Sequence, residues 1–233
     1  MKIGEAQIEF KVEEAAREKL RGLNIGYCCF VDAQTQKTNP LVDQTITAAS
    51  RTVAERYKDT TRIADDAVIK GIRALFSKVG LDPTKERPSG EALIRRVVGG
   101  QGLYRINSVV DINNVISLLS GCPCGVYDLA KIEGNTITIL VGKPGDRYEG
   151  IGGKMMNAEN RILTADDKSI FGGPTADSAR TCVTLETKEV LMLIYHPASA
   201  PMEVLKEAMQ NAKTHMQRAT GGREECSGIY QIV

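Results

Sequence analysis

Apolar positions recur at helical spacing through much of the first hundred residues and at strand spacing through much of the remainder. Val42, Ile46, Ala49, Val53 and Tyr57 fall on one face of a helix that opens after Asn39-Pro40. Val68, Ile72, Leu75, Phe76 and Val79 do the same after Asp65, and Gly80 stops that helix. Ser89 is placed to cap a third, whose Leu93, Ile94 and Val97 turn inward before Gly99-Gly100 ends it. Two strands are predicted ahead of these helices. Residues 6–12 (AQIEFKV) alternate polar and apolar, and residues 24–33 (NIGYCCFVDA) are apolar and rich in strand formers. A charged helix, EEAAREKL, lies between them.

After residue 100 the style changes. Glycines multiply, and apolar runs of strand length appear at 135–143, 161–165, 181–185 and 189–196, separated by turns such as KPGDR and GIGGK. A final helix starts near Ser199-Ala200-Pro201, carries Met202, Leu205, Met209, Ala212 and Met216 on one stripe, and ends at Gly221-Gly222. That methionine stripe reads as a core face. Strands do not alternate regularly with long helices, which argues against a doubly wound parallel sheet. The pattern predicts an α+β fold: a mixed, glycine-rich β-sheet core with a helical N-terminal part and a C-terminal helix. One domain is expected over 1–233, with a mostly helical accessory part (1–100) and a β-rich core with the last helix (101–233).

Composition narrows the function classes. Of 233 residues 42% are hydrophobic, enough for one sizeable core. Lys and Arg total 30 against 29 acids, a net charge of +1, so binding to nucleic acid must be local, weak or guided by a pocket. No apolar run is long enough to cross a membrane. Residues 1–20 are too charged for a secretory signal, and Cys28, Cys29, Cys122, Cys124, Cys182 and Cys226 lack zinc-ligand spacing. Reduced cysteines, a cytoplasmic location and no metal or other cofactor are the expectation.

Four segments after residue 100 concentrate candidate chemistry. In 105–121 (RINSVVDINNVISLLSG), Asp111 is a plausible N-cap, with Ile112, Val115, Ile116 and Leu119 on the buried face. Asn113 and Asn114 then occupy the first turn, where free N–H groups attract a carbonyl or an anion; a plain capping role is the simpler alternative. CPCGVYDL (122–129) is a turn into a short strand. GDRYEGIGG (145–153) sets Glu149 among glycines, Gly153 included, without the pattern of a phosphate loop. FGGPTADSART (171–181) is the densest: Gly172 and Gly173 allow close approach, and Thr175, Asp177, Ser178, Arg180 and Thr181 offer donors and acceptors. His196 and His215 are the two histidines, and no nucleophile–base motif is visible.

In order and spacing these segments resemble the B3/B4 editing module of the phenylalanyl-tRNA synthetase β subunit. VVDINNVISLLSGCPCGVYDL carries the likeness, and GDRYEGIGG and FGGPTADSART come after it at the expected intervals. The resemblance implies a pocket that hydrolyses tyrosine misattached to phenylalanine tRNA, an error that a hydrophobic pocket rejects poorly. It maps the pocket asparagine onto Asn114, with Asn113 where bacterial enzymes carry threonine. Gly125 stands where they carry histidine, and Pro174-Thr175 where they carry an acid after the paired glycines.

The resemblance thus implies an editing-type domain acting in trans on mischarged aminoacyl-tRNA. The alternatives are a non-catalytic RNA or amino-acid binding module and a hydrolase of some other small ester or amide. The expected catalytic set is Asn114, Asp177 and Ser178, with Asn113, Gly125, Glu149, Gly153, Gly172, Gly173, Thr175 and Arg180 binding substrate. The partner is the aminoacyl end of tRNA, without DNA or membrane. Water is expected to attack the ester with backbone donors at the oxyanion, the tRNA's own terminal hydroxyl replacing a protein base. Lys85, Arg87, Arg95, Arg96 and Arg105 form a locally basic stretch that could track a phosphate backbone, or could be a solvated helix face.

Overall fold

The computed structural model describes residues 8–233. In chain order the elements are β1 (Glu9–Val12), α1 (Arg17–Leu20), β2 (Leu23–Val31), α2 (Pro40–Tyr57), α3 (Ala67–Val79), α4 (Ser89–Val98) and α5 (Ser108–Ser120). Next come β3 (Cys124–Asp128), β4 (Thr136–Val141), β5 (Arg147–Glu149), β6 (Met155–Asn157), β7 (Ile162–Ala165) and β8 (Ile170–Gly172). β9 (Val190–Pro197), α6 (Met202–Thr220) and β10 (Arg223–Gln231) complete the series. The fold is α+β. One sheet, ordered β10-β2-β9-β3, is antiparallel throughout; the other, β1-β4-β7-β8, has one parallel pair, β1 with β4. β5 and β6 form a separate hairpin.

Alternation within the strands layers the molecule. On β2, Gly26 faces the helices, and a side chain there would run into Leu205 and Met209 of α6. Tyr27, one residue on, points to the other face and packs against Phe10 of β1, ring centroids 4.8 Å apart. On β3, Tyr127 meets Phe171 of β8 edge to face at 4.8 Å. Helices therefore cover one face of the antiparallel sheet and the second sheet covers the other, with one continuous apolar core between them. Burial of that core supplies the main driving force.

The inward faces predicted for α2, α3 and α4 are those observed. Asn39 caps α2, accepting from the N–H groups of Leu41 and Val42, and Asp66 caps α3. Several expectations need correction. Residues 181–185 are not a strand: the backbone turns there, with Thr187 N donating to Thr184 O. Ser89 is the first residue of α4 and makes no capping bond; the preceding Pro88 is the cap position. α5 starts before Asp111, because Asn107 caps it by accepting from Val110 N. Asn113 and Asn114 consequently sit in its second turn, and Leu118 is buried where Leu119 was expected. EEAAREKL is a short 3-10 turn leading into α1, a single turn. Of the strand expected at 6–12, residues 6 and 7 lie outside the described part of the chain.

Candidate functional site

β3 pairs with β9 on one side only, so its other edge must be satisfied from elsewhere. Two of the four singled-out segments supply that need. From the helix layer, Asn113 Nδ2 donates to Cys124 O at 3.3 Å, and Ser117 Oγ donates to Cys122 O at 2.7 Å. From the far side, the 171–181 segment runs along the same edge, and Asp128 N donates to Thr181 O at 2.9 Å. The fold thus brings Asn113 and Asp177 to opposite sides of one short strand.

Asn113 is almost fully buried, and its Oδ1 has no hydrogen-bond partner. A buried acceptor without a donor costs about 1–3 kcal/mol, so a group that can donate to it is strongly favoured there. Asn114 is part-exposed and makes no side-chain hydrogen bond within the described residues. Neither asparagine belongs to the helix start, so the free N–H groups and dipole expected to act through them lie elsewhere.

Between the sheets lies a second polar group. The Tyr127 hydroxyl donates to Asp177 Oδ1 at 2.7 Å. Thr164 Oγ1 donates to Gly172 O at 3.1 Å and lies 3.5 Å from the Tyr195 hydroxyl. Two glycines make room for this group. A Cβ on Gly125 would fall 2.1 Å from the Tyr127 hydroxyl oxygen, and one on Gly172 would fall 2.4 Å from it and 2.5 Å from Asp177 Oδ1. Asp177 keeps some solvent exposure as a residue, yet protein atoms crowd its carboxylate. Burial pushes that carboxyl up to about 7, against the opposing pull of hydrogen bonds from Tyr127 and the Gly173 backbone. Burial, and then the Asp177 charge, raise Tyr127 above the ordinary tyrosine range.

The remaining site residues divide between anchors and open positions. Ser178 is buried; its N–H donates to Phe171 O, and its Oγ accepts from Arg180 N at 3.2 Å. Arg180 turns away to Asp166 at 2.8 Å and to Lys131 O at 3.0 Å. Thr175 Oγ1 accepts from Arg161, which also pairs with Glu86. Gly173 packs its backbone against Ile162 O. The 145–153 segment joins this cluster: Ile151 N donates to Asp177 O at 3.3 Å, and Gly150 bridges to Ser178. Glu149 and Gly153 are exposed in that hairpin.

A family model for the B3/4 domain matches residues 71–219. The chain belongs to the B3/4 domain family. Among curated relatives, the phenylalanine–tRNA ligase beta subunit of Streptococcus mutans is 24% identical over 152 residues, covering 64% of this chain and 18% of that protein. That of Vibrio parahaemolyticus is 35% identical over 98 residues, 39% of this chain and 12% of that protein. This B3/4 chain therefore spans less than a quarter of the length of these relatives. A solved N-terminal fragment of the phenylalanyl-tRNA synthetase β-subunit from Pyrococcus horikoshii superposes with a TM-score of 0.51 at 12% identity, covering 98% of this chain and 55% of that one. That likeness is one of fold.

The basic stretch is split by the B3/4 fold. Arg95 bonds the fully buried Glu91 at 2.6 Å, as does Arg73 at 2.7 Å, and Arg87 lies 4.0 Å from it. Arg105 is held between Asp43 and Asp111. Lys85 lies exposed, 4.0 Å from Asp82. Arg96 alone has only neutral partners: Gly102 O, Gln101 and the Tyr104 hydroxyl, with its guanidinium 3.9 Å from the exposed Tyr104 ring. Sequence reasoning missed Tyr127, Tyr195 and Thr164, which come together from three strands. The one local signal was Tyr127 in the GVYD run.

His196 is fully buried between Asn24 and Pro201 O, away from this site. All six cysteines are free thiols. No cluster of His, Cys, Asp or Glu among the described residues could hold a metal ion, and no helix there is long and apolar enough to cross a membrane.

Proposed function

We propose that this B3/4 protein hydrolyses mischarged aminoacyl-tRNA in trans, in the cytoplasm, with the aminoacyl end held at β3 between Asn113 and Asp177. The observation that carries the reading is the unpartnered, buried Asn113 Oδ1 beside a strand whose other flank holds a carboxyl poised near neutrality. An amide oxygen is an acceptor only, and the α-ammonium of an aminoacyl ester is a donor of matching charge preference. Part-exposed Asn114 supplies a second contact to the ester. Asp177, half ionised near pH 7, replaces the tRNA hydroxyl as the base. It takes a proton from water as the water oxygen bonds to the ester carbon. The carbon–oxygen bond to the ribose then breaks, and the proton passes to the ribose oxygen. The products are a free amino acid and uncharged tRNA.

The RNA chain would meet Arg96 and Tyr104, a cation and a ring that together suit phosphate and an unpaired base.

Incubation with a panel of preformed mischarged tRNAs, tyrosyl-tRNA(Phe) first, tests the proposal. Release of the amino acid is expected, and Asn113→Ala should slow it by roughly tenfold or more. If no aminoacyl-tRNA is hydrolysed while tRNA or amino acid still binds, the protein is a binding module.

A further inference from the structure

Among the described residues, no cation pairs with the buried Asp177 carboxylate between the sheets. Tyr127 of β3 holds the Asp177 carboxylate, and Tyr195 of β9 stands behind Tyr127. Tyr148 of β5 donates to Ala176 O at 3.1 Å and feels the Asp177 charge. The charged neighbours are committed elsewhere: Arg161 to Glu86 and Thr175, and Arg180 to Asp166. Glu149 of β5 is exposed. A carboxyl surrounded by hydroxyls and backbone gains little for stability that an apolar residue would not give more cheaply. Such arrangements concentrate where a titrating group is used. The two glycines point the same way, because any side chain at 125 or 172 would displace the Tyr127 hydroxyl.

We propose that Tyr127 is the positioning residue of this site, its hydroxyl fixing the Asp177 carboxylate at the β3 edge and thereby setting the pH above which hydrolysis runs. The proposal rests on the hydrolytic reading above. When Asp177 is ionised, the Tyr127 O–H donates to Oδ1 and the Gly173 N–H also donates to the carboxylate, which takes the proton from water. Donation to the charged form favours that form, so Tyr127 holds the carboxyl lower than burial alone would leave it. Gly125 serves the same end indirectly. With no side chain of its own, it lets the residue two places on deliver a hydroxyl into the space that its own side chain would fill.

The test compares the full chain with Tyr127→Phe by two readouts: the pH–rate profile of deacylation and the titration of the Asp177 carboxyl carbon by NMR. In the variant the Asp177 midpoint should rise by about one pH unit, and the acid limb of the rate profile should rise with it. Gly125→Ala, which drives the Tyr127 hydroxyl off the carboxylate, is the second variant, and it should move both readouts in the same direction. An active wild-type protein whose acid limb stays put in both variants overturns the role of Tyr127 alone. An unmoved Asp177 midpoint does the same. A wild-type protein that hydrolyses nothing overturns the hydrolytic reading, and this inference with it.

Discussion

Glu91 and Asp177 are two carboxylates with opposite surroundings. Glu91 is wholly buried and grips Arg73 through both its oxygens and Arg95 through one. Burial pushes its carboxyl up, but the two guanidinium groups outweigh that and hold it below the usual range. Asp177 has a tyrosine hydroxyl and a backbone N–H in place of the arginines, and rises to about 7. The first arrangement locks α3 to α4 and is inert at any physiological pH. The second leaves a group that can gain or lose a proton under ordinary conditions. Burial with a countercharge holds a carboxylate ionised, and burial without one leaves it free to titrate near neutrality.

The largest effect expected from this contrast is on stability. Glu91→Gln strands two arginines against an uncharged amide and should destabilise the fold by roughly 2–4 kcal/mol. Water moderates the loss, because Arg73 and Arg95 keep about a quarter of their side chains exposed. Urea denaturation reads this directly, and a loss under about 1 kcal/mol would mean that the cluster is dispensable.

Asp177→Asn should do the reverse. A carboxyl raised in the folded state favours folding while it stays protonated. That contribution is complete below the ordinary value of 3.8 and is lost as the pH climbs toward about 7. At pH 8 the wild-type protein therefore carries a poorly solvated charge that asparagine removes. The variant should be more stable there by roughly 1–3 kcal/mol, about equal at pH 4, and inactive in deacylation. Paired melts at the two pH values decide it; an Asp177→Asn protein less stable at pH 8 would place Asp177 with Glu91 as a structural carboxylate.

The smallest effect belongs to the surface. Arg96→Glu should weaken tRNA binding severalfold at low salt and reduce the slope of affinity against salt by about one. Arg95, a member of the Glu91 cluster, is no fair test of RNA contact because its replacement disturbs the fold. Equal affinity for wild type and Arg96→Glu across salt would remove the Arg96–Tyr104 surface from the binding account.

Legibility in the sequence depended on how local each cause was. The helical faces of 42–57 and 68–79 were readable because burial imprints a 3.6-residue period on neighbouring positions. β10 was not: REECSGIYQ alternates weakly and is placed by pairing with β2, almost the length of the chain away. The start of α5 was misread because Asp111 looks like a cap. In the structure its carboxylate accepts from Ile106 N and binds Arg105, while Asn107 does the capping. The Asn113 and Asp177 segments were both singled out, but their meeting across β3 was not visible in the residues themselves. Tyr127 reaches Asp177 over fifty positions, and no spacing rule spans that distance.

The place of β2 bears on how the chain is made. Both of its neighbours in the sheet, β9 and β10, come late, so the run from Leu23 to Val31 leaves the ribosome long before Val190 is added. At the usual pace of ~5–20 residues per second that wait is roughly 8–30 s. For all of it, an apolar strand with two cysteines has neither edge occupied and is open to pairing with the wrong chain. A molecular chaperone that shields Ile25–Val31 during synthesis would raise the yield of folded protein, and slow translation between residues 31 and 190 would lower it.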